Sequence, residues 1–145
     1  MRKQSGFTLI ELLVVIAIIG LLSTLAVVAL NNARAKSRDA KRVSDIKQVQ
    51  TALELYYNDQ NKYPVDSAVV LGAGDQACLD TEGWDVTACA GATKYMAQVP
   101  KNPLPGGADY SYTSADGTTY SINFTLEGKV GELDGASTAN PNGVQ

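Results

Sequence analysis

The stretch that decides the fold is Met1-Arg2-Lys3-Gln4-Ser5-Gly6-Phe7-Thr8-Leu9-Ile10-Glu11, which continues as apolar sequence to Leu30. Residues 12–30 carry no formal charge, and at about 1.5 Å of rise per residue they nearly cross a hydrocarbon core of about 30 Å. A short basic leader therefore precedes one helix that is long enough to span a membrane. A single carboxylate, Glu11, lies near the start of that helix.

A cleaved secretory signal is the main alternative interpretation of this segment. Such a signal has an apolar region of about 7 to 15 residues and a small-x-small cleavage site after it. Here the apolar run is longer, and the Ala-x-Ala at residues 33–35 lies inside a basic cluster. We therefore favour a helix that stays in the mature protein.

Composition separates the chain into a basic and an acidic part. Residues 1–62 hold nine Lys/Arg against five Asp/Glu, about +4, whereas residues 63–145 hold three against ten, about −7. Opposite charges on two parts of one chain favour an assembly in which the acidic part of one copy faces the basic part of another. Two separately solvated surfaces are the alternative.

The chain contains no histidine, which limits the kinds of catalytic and metal site that it can form. This absence excludes Ser-His-Asp and Cys-His catalysis and the HExxH zinc motif, and there is no phosphate-binding loop, so we expect no enzyme and no cofactor. The basic run at residues 34–42 lacks interleaved aromatic residues, and the whole chain is acidic, so direct nucleic-acid binding is not expected.

The residues Gly6-Phe7-Thr8-Leu9-Ile10-Glu11-Leu12 closely resemble the processing motif of type IV prepilins and of the pseudopilins of type II secretion systems. The shared pattern is a basic leader that ends in Gly, then Phe, then Glu four residues later, then an unbroken apolar helix. The resemblance implies that a membrane peptidase removes the leader 1–6 by cutting between Gly6 and Phe7, and that the new amino group of Phe7 is methylated.

Glu11 requires a partner, because a carboxylate at the bilayer centre costs about 2.5 to 3.5 kcal/mol on insertion scales. The resemblance implies that Glu11 of one subunit pairs with the Phe7 ammonium of its neighbour in a filament. Alternatively, Glu11 lies at the level of the lipid headgroups and residues 12–30 span the membrane.

The basic residues that follow the apolar segment disagree with this topology. Two Lys/Arg precede the segment and six lie within about 20 residues after it, which by the positive-inside rule favours an N-terminus outside. The processing motif requires the N-terminus inside. We expect the motif to decide, because the later charges continue on a helix that leaves the membrane with a domain.

A second, amphipathic helical segment is predicted over residues 31–63. Its apolar positions recur at steps of three and four, whereas the charged Lys41, Arg42, Asp45, Lys47 and Glu54 fall largely off that stripe. Pro64 ends the helix, and the phrase Lys62-Tyr63-Pro64 also resembles that family. The apolar stripe consists of Val43, Ile46, Val49, Leu53 and Tyr56.

A globular head is predicted over residues 64–134. Residues 65–108 are expected to form loops, because glycine and proline punctuate them, and Cys78 and Cys89 fit a disulfide in an exported region. The phrase at residues 99–104 resembles the Val-Pro-Lys-Asp-Pro-Trp of the pseudopilins, but Asn102 replaces the acid and Leu104 the tryptophan. This departure argues against the calcium-binding loop of those pseudopilins, and we assign no metal ligands.

Alternating residues predict two strands, 109–113 and 118–126, joined by a turn at residues 115–117. Tyr120, Ile122, Phe124 and Leu126 share one strand face and should pack on the helical stripe. A short third strand is predicted at residues 129–133 and a flexible tail at residues 135–145. The expected fold is α+β, a long N-terminal helix packed on a small antiparallel sheet, which is pilin-like.

These observations predict a structural subunit of a type IV pilus-like filament, with the major pseudopilin of a type II secretion system as the alternative. The resemblance implies as partners further copies of the chain, a prepilin peptidase and methyltransferase, membrane lipid, and an inner-membrane assembly platform with its ATPase. It places the chain in the inner membrane and then in a surface or periplasmic filament. A single-pass membrane protein with a ligand-binding head is the alternative from another class.

Overall fold

A computed structural model describes residues 6–72, 77–85, 89, 91 and 93–145, with two compact units, Met1–Ala35 and Lys36–Gln145. Leader residues 1–5 lie outside the described part. In the described residues one helix is followed by eight strands: α1 (Leu9–Gln60), β1 (Asp66–Val70), β2 (Cys78–Asp80), β3 (Gly83–Asp85), β4 (Lys94–Met96), β5 (Ser111–Ser114), β6 (Ser121–Thr125), β7 (Ala136–Asn140) and β8 (Gly143–Val144).

Local chemistry fixes both ends of α1. Thr8 precedes the first helical residue and its hydroxyl accepts a hydrogen bond from the backbone N–H of Glu11 at 3.3 Å. At the other end Asn61 has a φ of 54°, and its N–H donates to the carbonyl of Tyr57 at 2.8 Å. This left-handed residue closes the last turn three residues before Pro64. The two predicted helical segments are one continuous helix, which ends at Gln60.

Exposed apolar side chains dominate the surface of the first unit between residues 7 and 30. Every side chain from residue 7 to residue 30 is exposed, Phe7 to 81%. Within the described residues, α1 is the one helix long and apolar enough to cross a membrane by length and composition.

The second unit is built on a five-stranded antiparallel sheet in the order β1-β5-β6-β7-β8. Its hydrophobic core contains side chains from both the helix and the strands. All four residues of the predicted strand face at 120–126 are buried, and so are four of the five residues of the predicted helical stripe. The predicted packing of strand on stripe is confirmed. The core side chains that carry it are Ile46, Val49, Leu53, Tyr56, Tyr110, Tyr112, Tyr120, Ile122, Phe124, Leu126 and Ala139.

The structure corrects the sequence-based prediction at the C-terminal end. Residues predicted as a flexible tail form β7 and β8, and β7 pairs with β6 so that Ala139 lies opposite Ile122. Three of the five residues of β7 are alanine or asparagine, which are depleted in strands, so this strand forms through its pairing with β6. The predicted strand at 129–133 is a tight turn in which Val130 and Leu133 exchange two backbone hydrogen bonds.

A second sheet, in the order β3-β2-β4, replaces part of the predicted loop region, and β1 joins the edge of the first sheet. All three residues of β2 are buried, and Cys78 at its start forms a disulfide with Cys89, with 6.0 Å between the two Cα atoms. Short strands with few alternating residues give no periodic signal, which is why they were missed. The pair β5–β6 is confirmed: the two strands start two and three residues later than predicted, and each ends within one residue of its predicted end.

Candidate functional site

The predicted cleavage site lies ahead of the helix. Gly6, Phe7 and Thr8 have no regular secondary structure, and all three are exposed. A protease needs an extended, accessible backbone, so these residues present a suitable substrate in that respect. A shallow apolar depression of about 380 Å³ lies beside them and is lined by Phe7, Ile10, Glu11, Val14 and Val15.

Glu11 forms a capping box with Thr8. Its Oε2 accepts hydrogen bonds from the backbone N–H of Thr8 at 2.8 Å and from the Thr8 hydroxyl at 2.7 Å, while its own N–H donates back to that hydroxyl. The reciprocal bonds satisfy two N–H groups that have no partner within the helix. Both bonds to the carboxylate use Oε2, so Oε1 remains an acceptor for another donor.

This capping role was missed by the sequence interpretation, which weighed only a charge partner for Glu11. The signal was present, because Thr-x-x-Glu before an apolar run is the sequence pattern of a capping box. A helix-capping role and a role in assembly are compatible, since they use different oxygens of one carboxylate.

A second cluster of charges lies in the other unit, around Arg42. This side chain is fully buried, with 0% exposure. Its Nε donates to Asn102 Oδ1 at 2.7 Å, and one terminal nitrogen donates to Asp39 Oδ1 at 2.6 Å and to Glu127 Oε1 at 2.7 Å. The other terminal nitrogen donates to the carbonyls of Pro103 and Gly106. All five donated bonds end on oxygen, which satisfies the guanidinium completely.

Asp39 and Glu127 complete this cluster. Asp39 accepts the backbone N–H groups of Glu127 and Gly128, each at 2.9 Å, so the helix holds the chain just after β6. Glu127 also accepts a hydrogen bond from Arg38. Together, Arg38 and Arg42 lower the pKa of the Glu127 carboxyl to about 2. The Glu127 side chain keeps 21% of its exposure, so water reaches this edge of the cluster.

The burial of Arg42 and Asp45 contradicts the prediction that they lie off the buried stripe. Arg42 precedes Ile46 by four residues and Val49 by seven, so it continues the stripe toward the N-terminus. Asp45 accepts from Lys41 at 3.0 Å and from the Tyr110 hydroxyl at 3.2 Å. Helical spacing alone could have placed Arg42 correctly; its charge argued against burial because unpaired charges are excluded from cores.

Asn102 and Leu104, the two departures from the pseudopilin phrase, take different positions. Asn102 is buried and its amide nitrogen donates to the Gly106 carbonyl at 3.0 Å, whereas Leu104 is 80% exposed. Among the described residues, no group of three or more acidic or cysteine side chains is placed to hold a metal ion.

Comparison with known proteins supports a single family. The family description "Prokaryotic N-terminal methylation motif" matches residues 1–27. The type II secretion system core protein G of Vibrio cholerae serotype O1 is 34% identical over an alignment of 151 positions, which covers 98% of this chain and 94% of that protein. No solved structure matches.

Two further relatives cover different shares of the chain. The type II secretion system core protein G of Aeromonas hydrophila is 48% identical over 63 residues, but the match spans 43% of this chain and 44% of that protein. The type IV major fimbrial protein FimA of Dichelobacter nodosus is 30% identical over 139 residues, 94% of this chain and 75% of that protein. With its N-terminal motif, its helix and its antiparallel head, the chain belongs to the family of type IV pilins and type II secretion pseudopilins.

Proposed function

We propose that this chain is the precursor of a filament subunit that assembles through its apolar helix. The observation that carries the proposal is the uncovered apolar surface of residues 7–30, within a chain of this family. Water-exposed apolar surface costs about 25 cal/mol per Å², so a surface of this size requires lipid before assembly and other helices after it. The chain would therefore begin as a membrane subunit. The processing motif, which matches at residues 1–27, favours the inner membrane with the N-terminus inside.

Processing would create the charge that Glu11 needs. Cleavage between Gly6 and Phe7 leaves an ammonium group at Phe7, which a methyltransferase then modifies. The Glu11 carboxylate keeps its helix cap through Oε2, and Oε1 accepts the Phe7 ammonium of a neighbouring subunit. Each subunit would then offer one donor and one acceptor, and this arrangement fixes the axial register of the filament.

Mass spectrometry of the purified filament protein tests the processing step. The proposal expects a mature chain that starts with N-methylated Phe7, and a retained Met1 would contradict it. Gly6→Leu should block the cut and leave the precursor in the membrane fraction. An unchanged yield of cut subunit from that variant would contradict the assignment of the cleavage site.

Glu11→Gln tests the pairing. Glutamine can still accept from Thr8 through its amide oxygen but carries no negative charge, so we expect a cut, methylated subunit and at least a tenfold loss of sheared filament. Leu13→Gln is the matched control, because it puts the same amide two residues further along the apolar helix. Equal filament yields from wild type and Glu11→Gln would disprove the pairing.

The alternative within the family is the major pseudopilin of a type II secretion system. It is supported by the 34% identity to the Vibrio protein along almost the whole chain. Deletion of the gene distinguishes the two functions: loss of secreted enzymes with no change in surface fibres favours the pseudopilin, and loss of surface fibres favours the pilin. The assembly platform and its ATPase are the partners expected in both cases.

A further inference from the structure

We infer that the loop 103–106 is a preformed contact that inserts Leu104 into a groove on a second copy of this chain. The inference rests on the proposed function, which supplies the second copy. It concerns the head, whereas the proposed assembly concerns the N-terminal helix, so the two can fail separately.

The loop is held rigidly from inside the protein. Arg42 donates to the carbonyls on both sides of the Leu104–Pro105 pair, those of Pro103 and Gly106, and Asn102 donates to the Gly106 carbonyl as well. A Cβ on Gly107 would lie 2.8 Å from Arg42 Nε, so the backbone passes directly over the guanidinium. A fully buried arginine thus fixes the base of the loop.

The outermost part of the same loop is apolar and uncovered. Leu104 is 80% exposed, and Pro105 beside it is also exposed. Because the loop is already ordered, little conformational entropy is lost when its tip is buried by a partner. A rigid apolar side chain in an exposed position is the kind of anchor that fills a pocket at an interface.

A groove of about 500 Å³ elsewhere in the same unit has a suitable lining. Four of its lining residues are apolar side chains that the fold leaves half-buried, and two more, Lys47 and Glu132, are charged and exposed. The apolar residues are Val43, Val130, Leu133 and Val144.

Charge complementarity selects a second copy as the occupant. Exposed Lys101 and Asp109 flank the loop, one on each side in sequence, and the groove carries one charge of each sign. Lys101 can pair with Glu132 of the second copy and Asp109 with its Lys47, and neither pairing brings like charges together. A head-to-tail contact between two different patches propagates into an open helical polymer when its rotation does not close a ring, which is the arrangement that the proposed filament requires.

Cross-linking between two differently tagged chains tests the contact. One chain carries Ala108→Cys, an exposed position beside the loop, and the other carries Lys129→Cys, an exposed position beside the groove, so that Leu104 and Glu132 stay in place. Both chains are expressed in the same cells. The native cysteines are joined in a disulfide, so a short bismaleimide reacts with the introduced thiols alone. We expect a mixed-tag dimer in the sheared filaments, at least tenfold above the yield when Ala115→Cys, in the exposed turn between β5 and β6, replaces Ala108→Cys.

The outcomes separate the two proposals. Filaments without the mixed dimer, or with as much of it from the Ala115→Cys control, overturn the contact and leave the proposed function intact. Absence of filaments in the wild-type strain overturns the proposed function. A charge exchange gives a second measurement: Lys101→Glu and Glu132→Lys should each reduce filament yield severalfold, and the double variant should restore it. A double variant no better than either single one contradicts the pairing.

Discussion

The two halves of helix α1 differ in which side chains are buried and which are exposed. In the first unit, leucine, isoleucine and valine side chains are exposed along the whole surface, whereas in the second unit Arg42 and Asp39 are buried. Hydrophobicity by itself predicts the reverse. The difference shows that burial follows from what surrounds a helix face: the apolar side chains of the first half are uncovered, and the second half is covered by a sheet whose loops satisfy its charges.

Removing the buried guanidinium of Arg42 should cause the largest loss in the free energy of unfolding. Arg42→Met leaves Asp39 and Glu127 without their shared partner, and breaking a buried ion pair by removing one member costs about 3 to 5 kcal/mol. Urea unfolding of the full chain in detergent micelles, followed by the tryptophan fluorescence of Trp84, measures this loss. Arg34→Met is the matched control on the same helix, where the side chain is exposed, and it should stay within about 0.5 kcal/mol of wild type. An equal loss in the free energy of unfolding from Arg42→Met and Arg34→Met would contradict the stabilising role of the cluster around Arg42.

A leucine-to-alanine substitution should change a different property in each half of the helix: the stability of the head in one half and the yield of filament in the other. Leu53→Ala removes a fully buried side chain from the core and should lower the free energy of unfolding of the head by about 2 to 5 kcal/mol. Leu25→Ala in the exposed half should leave that free energy unchanged and lower the yield of filament instead. The two measurements are urea unfolding in micelles and sheared filament mass. A loss of head stability from Leu25→Ala comparable to that from Leu53→Ala would remove the distinction between the halves.

A smaller effect is expected from pH through Glu127. The folded chain lowers the pKa of this carboxyl from an ordinary 4.5 to about 2, so the unfolded chain binds more protons between those values. The stability that Glu127 contributes is therefore complete above pH 4.5 and disappears as the pH falls toward 2.

Thermal unfolding by circular dichroism at several pH values measures this contribution. The difference in Tm between wild type and Glu127→Gln should be largest near pH 6 and should shrink steadily toward pH 2. Glu132→Gln changes an exposed carboxylate at the turn after β6 and is the control. A Tm difference for Glu127→Gln that stays constant from pH 6 to pH 2 would exclude the ion-pair explanation.

Much of the fold could be read from local sequence. The apolar run, the stripe from Val43 to Tyr56 and the alternation through Ile122 and Phe124 each repeat with the period of their element, and all three regions have the predicted type of structure. The strands β2, β3 and β4 have three residues each, too short for any period to show. Strand β7 has weak intrinsic preference and exists because β6 offers it a hydrogen-bonding edge.

The candidate sites also fall into those that local sequence predicts and those that it does not. Gly6, Phe7 and Glu11 were identified because the motif is contiguous, and their roles in cleavage, methylation and pairing stay predictions. The bond between Cys78 and Cys89 was predicted from the two cysteines and is present in the structure. The contacts of Arg42 could not be predicted, because Asn102 is 60 residues away in the chain and Glu127 is 85 residues away.

The sequence by itself determined that a basic leader precedes an apolar helix, that Glu11 lies near the start of that helix, and that the amphipathic second half needs a covering sheet. These properties depend on neighbouring residues and on periods of two or 3.6, which can be read without a fold. Only the tertiary structure decided that the helix face includes a buried arginine and that loop 103–106 is fixed with Leu104 exposed. A guanidinium is stable in a core only when distant parts of the chain bring it enough oxygen acceptors, and that convergence is a property of the folded chain.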